Sequence, residues 1–523
     1  VTWDYIIVGA GSAGAVLAAR LSENPDRRVL LLEAGGSDWW PGIHIPGMVE
    51  QLITSRTLNW HFTGEPDESL GGRCLTWAAG RVLGGSSSIN GMVHGRGLPA
   101  DYDRWVAAGN PGWGWQDMLP AFRKLEDWRG TPHAARGSGG PVAVRPFTET
   151  DESCRAIMEA FVAAGIPPVD DYCVGIAEGF GLTQATQKNG WRHSAARAYL
   201  HPARRRRNLR VVTHAFAERL LIEAGACRGV AYRRAGQLHV AHTEREVIVA
   251  AGAISSPKLL LLSGIGPPDM LAGHGIAVTH ALPGVGQGLN DHVNVRLSAF
   301  VNRPTYNTQR RGTTALRHGA LFLALGRGPA SSPANHCQGF IKTDTALASA
   351  DVQVQLMAFG FGTDMEMRRD GITAVISPCH PEARGTVSLR SANPADAPRI
   401  AMRMLGSARD VATLLKGCSM AHDMTLKVPG ARLYAPATRR LNDAAWRDFF
   451  RINAGLNWHP TSTCRMGRLA DGGVVDAELR VHGLSGLSVA DASVMPSVTS
   501  GNTNVPVIAI AERAAAFIDR RTG

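Results

Sequence analysis

The chain has 523 residues, 44% of them hydrophobic and 19% charged, with a formal net charge of +11. That balance excludes a disordered chain and fits a globular protein with a large core, long enough for two or three domain-sized units. No run of about 18 apolar residues occurs, so no membrane span is expected, and the eight scattered cysteines match neither a zinc site nor a disulfide framework.

Thiols used this way point to a cytoplasmic enzyme, with the periplasm left open. The sequence as it stands begins almost directly on a strand and leaves no room for a signal peptide. In "DYIIVGAGSAGAVLAARL", Tyr5 to Val8 form a continuous apolar run, as in a parallel strand covered on both faces. Gly9, Gly11 and Gly14 then spell G-x-G-x-x-G around Ser12 and Ala13. The first glycine allows the turn, the second lets a pyrophosphate approach the backbone, and the third packs helix against strand. The helix N-terminus offers free N–H groups to phosphates. A second strand, "RVLLLEAG", ends at Glu33 and Ala34. Glu33 stands 33 − 14 = 19 residues past Gly14, the place for a carboxylate that takes a ribose hydroxyl pair. The combination predicts an adenine dinucleotide without separating FAD from NAD.

Trp60, in "LNWHFTGEP", can border that cofactor. The stretch "AAGRVLGGSSSINGMVHGRG", residues 78 to 97, brings Arg81, Val82, Gly84, Gly85, Ser86, Asn90, Gly91, Met92 and Val93. Its backbone can run flat along a bulky planar group, which a nicotinamide enzyme does not need here. The basic run Arg204 to Arg207 reads as a solvated turn after a helix. A nucleic-acid or membrane patch is the other reading, but no aromatic interleaving or nucleic-acid motif accompanies it, and no nucleic-acid partner is expected. In "EVIVAAGAISSPKLLLLSGIGP", a strand leads to Ala251 and Gly252. Ser255 and Ser256 are expected as N-caps with Pro257 in the first helical turn.

Residues 302 to 333 read as a helical run flanked by loops, an entrance lid. "ADVQVQLMAFGFG", "TAVISPCHPEARGTVSLRS" and "PRIAMRM" read as strands of a largely antiparallel sheet. Met357, Phe359 and Phe361 lie on one of them and face either core or pocket. In "GLNWHPTSTCRMG", Pro460 pushes His459 toward an extended conformation and stiffens its backbone. The last segment predicts a strand ending near Asp491 and Ala492, a loop carrying Asn502, and a helix opening near Pro506, with Asn504 and Val505 at its start.

Taken together, these segments resemble the glucose–methanol–choline (GMC) oxidoreductases, FAD enzymes that act on alcohols. Gly252 to Gly266 matches the family's second signature at every defined position. The first signature matches from Gly80 through Asn90 and on to Gly97, and departs at His94. The resemblance implies an α/β fold (α+β overall). A Rossmann-like FAD-binding domain would come from residues 1–150, 200–295 and 468–523. A discontinuous substrate domain on a largely antiparallel sheet would come from 151–199 and 296–467.

The resemblance also implies FAD as cofactor, no metal, and a C-terminal segment lying against the flavin's pyrimidine end. It aligns His459 with the family's base and Asn502 with its second polar partner, and places Trp458 near the flavin. The expected reaction is oxidation of a primary alcohol by hydride transfer to flavin N5. A base draws the hydroxyl proton, for which imidazole has a suitable pKa. Asn cannot be a base, so Asn502 would donate a hydrogen bond to the substrate oxygen. Oxygen or an organic acceptor would reoxidise the flavin. The alternative is a flavin-containing lyase, like hydroxynitrile lyases, using the same His without net redox. Cys464 has no third group to make it a nucleophile. His94 and His292 are expected to be structural.

Overall fold

The computed structural model describes residues 2–360 and 369–522. The elements that matter here, in chain order, begin with β1 (Thr2–Val8), α1 (Ser12–Leu21), β2 (Val29–Leu32), β3 (Gly179–Leu182) and β4 (Leu209–Val212). They continue with β5 (Phe216–Glu223), β6 (Ala226–Arg234), β7 (Gln237–Val249), α2 (Gly252–Leu262), β8 (Val293–Phe300) and α3 (Gly312–Leu325). The rest are β9 (Cys337–Ile341), β10 (Val352–Met357), β11 (Gly371–Pro378), α4 (Ala408–Thr425), β12 (Arg432–Ala435), β13 (Leu487–Val489) and α5 (Asn504–Thr522).

Two sheets dominate. The first has the order β4-β2-β1-β7-β6-β5, with β13 added beside β7. Its nucleotide-side strands run parallel and in register, so that Val8 lies beside Leu32 and Val249, Leu32 beside Val212, and Val249 beside Val489. Five chain segments therefore leave the sheet together at its carboxyl edge. All four residues of β2 and the last five of β1 are buried, which is why these strands read as unbroken apolar runs. β7 is long enough to serve twice. Its first half pairs antiparallel with β6, and its second half pairs parallel with β1.

The second sheet has the order β12-β8-β11-β10-β9-β3, with every pairing along it antiparallel. α4 covers one face, its buried Leu414, Cys418 and Ala421 joining the core of that sheet. The short strand Gly455–Leu456 pairs with the start of β8 and delivers the chain to His459. The cores under the two sheets are separate clusters, and the candidate site lies between them.

One local expectation is corrected. α2 begins at Gly252, with Ala251 as N-cap, so Ser255 and Ser256 lie inside it and Pro257 sits in its second turn. An internal proline leaves the carbonyl four residues back without a donor. Here the Thr463 hydroxyl donates to the Ala253 carbonyl at 2.5 Å and supplies the missing bond. Ser256 instead donates to Asp491 at 2.5 Å.

Candidate active site

A cavity opens at the carboxyl edge of the first sheet, as expected for a doubly wound fold. Gly9 turns the chain out of β1 with φ +97°, and a Cβ there would stand 2.6 Å from the Ala250 carbonyl oxygen. Only glycine fits. A Cβ on Gly14 would meet the Gly9 oxygen at 1.8 Å, so Gly14 lets α1 close onto the turn. Gly11 differs, because nothing lies within 4 Å of a Cβ built there. That open space belongs to the cavity, which Gly9, Gly11, Ser12 and Ala13 line.

Glu33 ends β2 beside them. Its carboxyl accepts from the backbone N–H of Ala10 at 2.8 Å and of Gly35 at 2.7 Å. Burial pushes it up to about 7 against those two bonds. Asp491 is held similarly, accepting from Gly252 N–H at 2.8 Å. The Ser12 hydroxyl donates to Asn504 Oδ1 at 2.7 Å, joining the start of α1 to the start of α5. Two helix N-termini thus converge on one cavity, an arrangement suited to phosphate and to developing negative charge. Ala34, Ala251, Gly252, Ala492 and Asn504 complete this end of the lining.

The glycine–serine loop forms a second wall through Gly85, Ser86, Asn90, Gly91, Met92 and Val93. Gly85 approaches so closely that its Cβ would lie 2.7 Å from Gly11 Cα. Trp60 also lines the cavity and stacks on Phe62, with ring centroids 5.7 Å apart. Several residues named from the sequence stand behind the lining rather than in it. Arg81 covers the outer Trp60 ring at 4.6 Å, and Val82 is buried where it bridges to Gly36. Gly84 turns the loop with φ +86°, and Val505 and Pro506 are buried in the first turn of α5. Met357 reaches the cavity; Phe359 is not part of its lining, and Phe361 lies outside the described residues.

His459 and Asn502 meet at the far end. Asn502 Nδ2 lies 3.1 Å from His459 Nε2. His459 Nδ1 lies 3.0 Å from His292 Nδ1, with the two rings edge to face. His292 Nε2 in turn lies 3.3 Å from the Cys379 carbonyl. A carbonyl can only accept, so His292 carries its proton on Nε2 and accepts at Nδ1. His459 then carries its proton on Nδ1, and its unprotonated Nε2 faces the cavity and accepts from the Asn502 amide. The other side is fixed too. Asn502 Oδ1 accepts from Gln355 Nε2 at 3.1 Å, which turns the Asn502 amide N–H toward His459.

The backbone of His459 is pinned as well as stiffened. Asp291 accepts from the N–H of His459 at 2.9 Å and of His292 at 2.7 Å, and from the Trp77 indole at 2.8 Å. Burial pushes Asp291 up to about 7 against these donors. Trp458 takes φ +59°, a costly conformation for a bulky residue next to a reactive group. Its indole donates to the Thr76 carbonyl at 2.9 Å. Burial holds His459 well below the ordinary imidazole range, with His292 adding to the effect, and His292 itself falls to about 4.

The sign of the pH dependence follows. A base acts when neutral, and a lowered pKa keeps it neutral down to more acid solution. The rate of anaerobic cofactor reduction should therefore rise with pH on a limb lying below 6.5 and be flat above it. A midpoint at or above the usual imidazole value, in a pH series at saturating alcohol, would contradict this environment.

Asp291, His292 and Gln355 were not singled out as functional from the sequence. His292 was grouped with His94 as structural, yet the two differ. His94 is fully buried in a charged cluster, 2.9 Å from Glu126, which also pairs with Arg96 and Arg136 at 2.6 Å each. It does not line the cavity. His292 touches the candidate base. The adjacent Asp291 and His292 form no metal-ligand or triad pattern, so their spacing carried no signal. Among the described residues no group of His, Cys, Asp and Glu could hold a metal. Cys464 is buried, and burial holds its thiol well above the usual range, as befits an inert core residue.

This geometry accompanies a clear family match. The N-terminal GMC oxidoreductase model matches residues 3–294, and the C-terminal GMC oxidoreductase model matches residues 381–511. The chain belongs to the GMC oxidoreductase family. It is an enzyme of CH–OH oxidation, and the family's cofactor is FAD. It is 36% identical over 528 residues to an oxygen-dependent choline dehydrogenase of Brucella suis biovar 1 (strain 1330), covering 99% of this chain and 96% of that one. The counterpart in Vibrio vulnificus (strain YJ016) is 37% identical over 529 residues, covering 99% and 94%. Among solved structures, pyridoxine 4-oxidase from Mesorbium loti superposes with a TM-score of 0.90 at 29% identity, covering 99% of each chain. A fungal aryl-alcohol oxidase shares the fold, with a TM-score of 0.87 at 23% identity over 100% of this chain and 99% of that one. No helix of the described residues is long and apolar enough to cross a membrane.

Proposed function

We propose that this GMC oxidoreductase oxidises a compact primary alcohol to the aldehyde, with His459 as general base and Asn502 as the donor that orients the substrate oxygen. The carrying observation is the unprotonated Nε2 of His459, held at the cavity by a hydrogen-bonded chain running from Cys379 to Gln355. The Gly9–Gly14 turn leaves open space beside Gly11, bounded by bare backbone and part of the cavity, which fits FAD. We assign Gly9, Gly11, Ser12, Glu33, the 84–93 loop and the Asp491–Asn504 segment to holding it, and with them residues 1–150, 200–295 and 468–523 as its domain. Residues 151–199 and 296–467 would then carry the substrate. Bound FAD supplies the hydride acceptor.

The protein's own part is proton handling. His459 Nε2 takes the hydroxyl proton as the carbon–hydrogen bond breaks, and Asn502 Nδ2 stabilises the developing alkoxide. Asn502→Ala should slow cofactor reduction roughly tenfold, the effect of one hydrogen bond to a partly charged oxygen. Anaerobic stopped flow measures it, and a loss equal to that of the His459 variant would make Asn502 part of the base itself.

Arg296 bears on the substrate. It lies on β8 opposite Val375, whose other neighbour is Gln355, so both side chains flank the Asn502 end. Among the described residues, the carboxylates that line the cavity, Glu33 and Asp491, are at the other end and hold backbone N–H groups. An aromatic or small aliphatic primary alcohol should bleach the flavin absorbance under anaerobic conditions. Conversion of substrate with no bleaching by any alcohol would favour the lyase reading instead. The eight unbridged cysteines favour the cytoplasm as its compartment.

A further inference from the structure

The helix α3 is packed unlike the others. Of its residues only Phe322 is buried, while Leu316 is 75% exposed, Leu323 69% and Leu325 64%. Leu316 and Leu323 are two turns apart and share a face. The helix carries no acidic residue, and Arg310, Arg311, Arg317 and Arg327 lie along or beside it, all exposed. This is an apolar stripe with a cationic border.

The surface continues beyond the end of α3. Asn189 and Gly190 pack backbone to backbone against Gly326, and Trp191 lies 4.5 Å from the Phe322 ring. Trp191 and Lys188 belong to an open groove that also has Arg197, Arg205 and the 77% exposed Trp39. At its floor Arg192 is fully buried, with Nη2 unmatched and only carbonyl and amide oxygens as partners. Among the described residues the acidic groups named here are engaged. Asp38 pairs with His201, Glu50 with Arg310, and Glu149 accepts from Gly328 N–H.

We propose that this face docks on an anionic lipid bilayer. The α3 leucines and Trp39 enter the headgroup boundary, while Lys188, Arg197 and Arg205 meet anionic headgroups. Exposed leucine, interfacial tryptophan and clustered Arg and Lys on one side are what such a surface requires. Charge decides against a second copy of this chain. A two-fold contact through the same face would set one arginine border against another, on molecules that each carry +11. Docking also places the active-site wall near the membrane. The Arg310 partner Glu50 lies on the helix Val49–Thr54, whose Val49 and Ile53 line the cavity.

The test is sedimentation of the FAD-loaded protein with vesicles of phosphatidylcholine alone or mixed with phosphatidylglycerol. Binding is expected to the mixed vesicles only and to weaken with salt. The double variant L316E/L323E should reduce the bound fraction roughly tenfold or more, through lost apolar burial. Arg205→Gln should weaken binding about fivefold, the share of one surface cation. Both variants should keep the native circular dichroism and the native rate of reduction by a water-soluble alcohol without vesicles. No sedimentation with anionic vesicles, or binding to both vesicle types that the leucine variant leaves intact, overturns the proposal. So does a concentration-dependent dimer in analytical ultracentrifugation that the leucine variant dissolves.

Discussion

Replacing His459 by Ala should slow reduction of the bound cofactor by an alcohol roughly 10²- to 10⁴-fold, the range for loss of a general base. The side chain is buried, and its Nε2 is the unprotonated ring nitrogen that faces the cavity, touching only the Asn502 amide in the chain described above. No neighbour can replace it. His292 already spends Nδ1 on His459 and Nε2 on Cys379, and Asn502 has no basic nitrogen. FAD should remain bound, because the Gly9–Gly14 turn and Glu33 lie at the other end of the cavity. The acid limb of the pH profile should vanish with the imidazole that produces it. A folded, yellow His459→Ala protein reduced at the native rate would return His459 to a structural role, with Pro460 only shaping a loop.

Gly11→Val should leave the chain folded and colourless. Gly11 sits at φ −70°, which any residue adopts, and nothing of the protein lies within 4 Å of the new Cβ. The added methyls would occupy only the space assigned to the pyrophosphate. Flavin absorbance relative to protein should fall nearly to zero while circular dichroism is unchanged. Gly14→Ala provides the contrast, because its Cβ would stand 1.8 Å from the Gly9 oxygen and the turn itself must break. Full flavin content in the Gly11 variant would remove this segment from the cofactor site.

These two tests also mark what the sequence could and could not say. The family and the sheet of parallel strands were legible because their signals are local. Glycines at fixed spacing, apolar runs and a carboxylate after the second strand need no partner to be recognised. The start of α2 was misread because Pro257 normally marks a first turn. Its tolerance in the second turn depends on a hydroxyl 210 residues away. His292 was undervalued for the same kind of reason, since the residue it supports lies 167 positions later. Gln355 looked like one polar position in an alternating strand, and only its contact with Asn502, 147 residues on, gives it a role. Local patterns reveal where a cofactor can lie; the groups that aim a base are set by tertiary contacts.

The bond between Ser12 and Asn504 spans 492 residues, and Arg20 of α1 pairs with Glu512 of α5 across the same distance. The last strand of the parallel sheet, β13, is also contributed by the final stretch of chain. While this protein is being synthesised, its first nucleotide-binding turn emerges early but has no opposite wall until nearly the whole chain has left the ribosome. If that turn holds the cofactor, the site is complete only once α5 has been made. A nascent or prematurely terminated chain holds the glycine turn as an open edge, and loss of the last 20 or so residues removes α5 and strands that turn permanently.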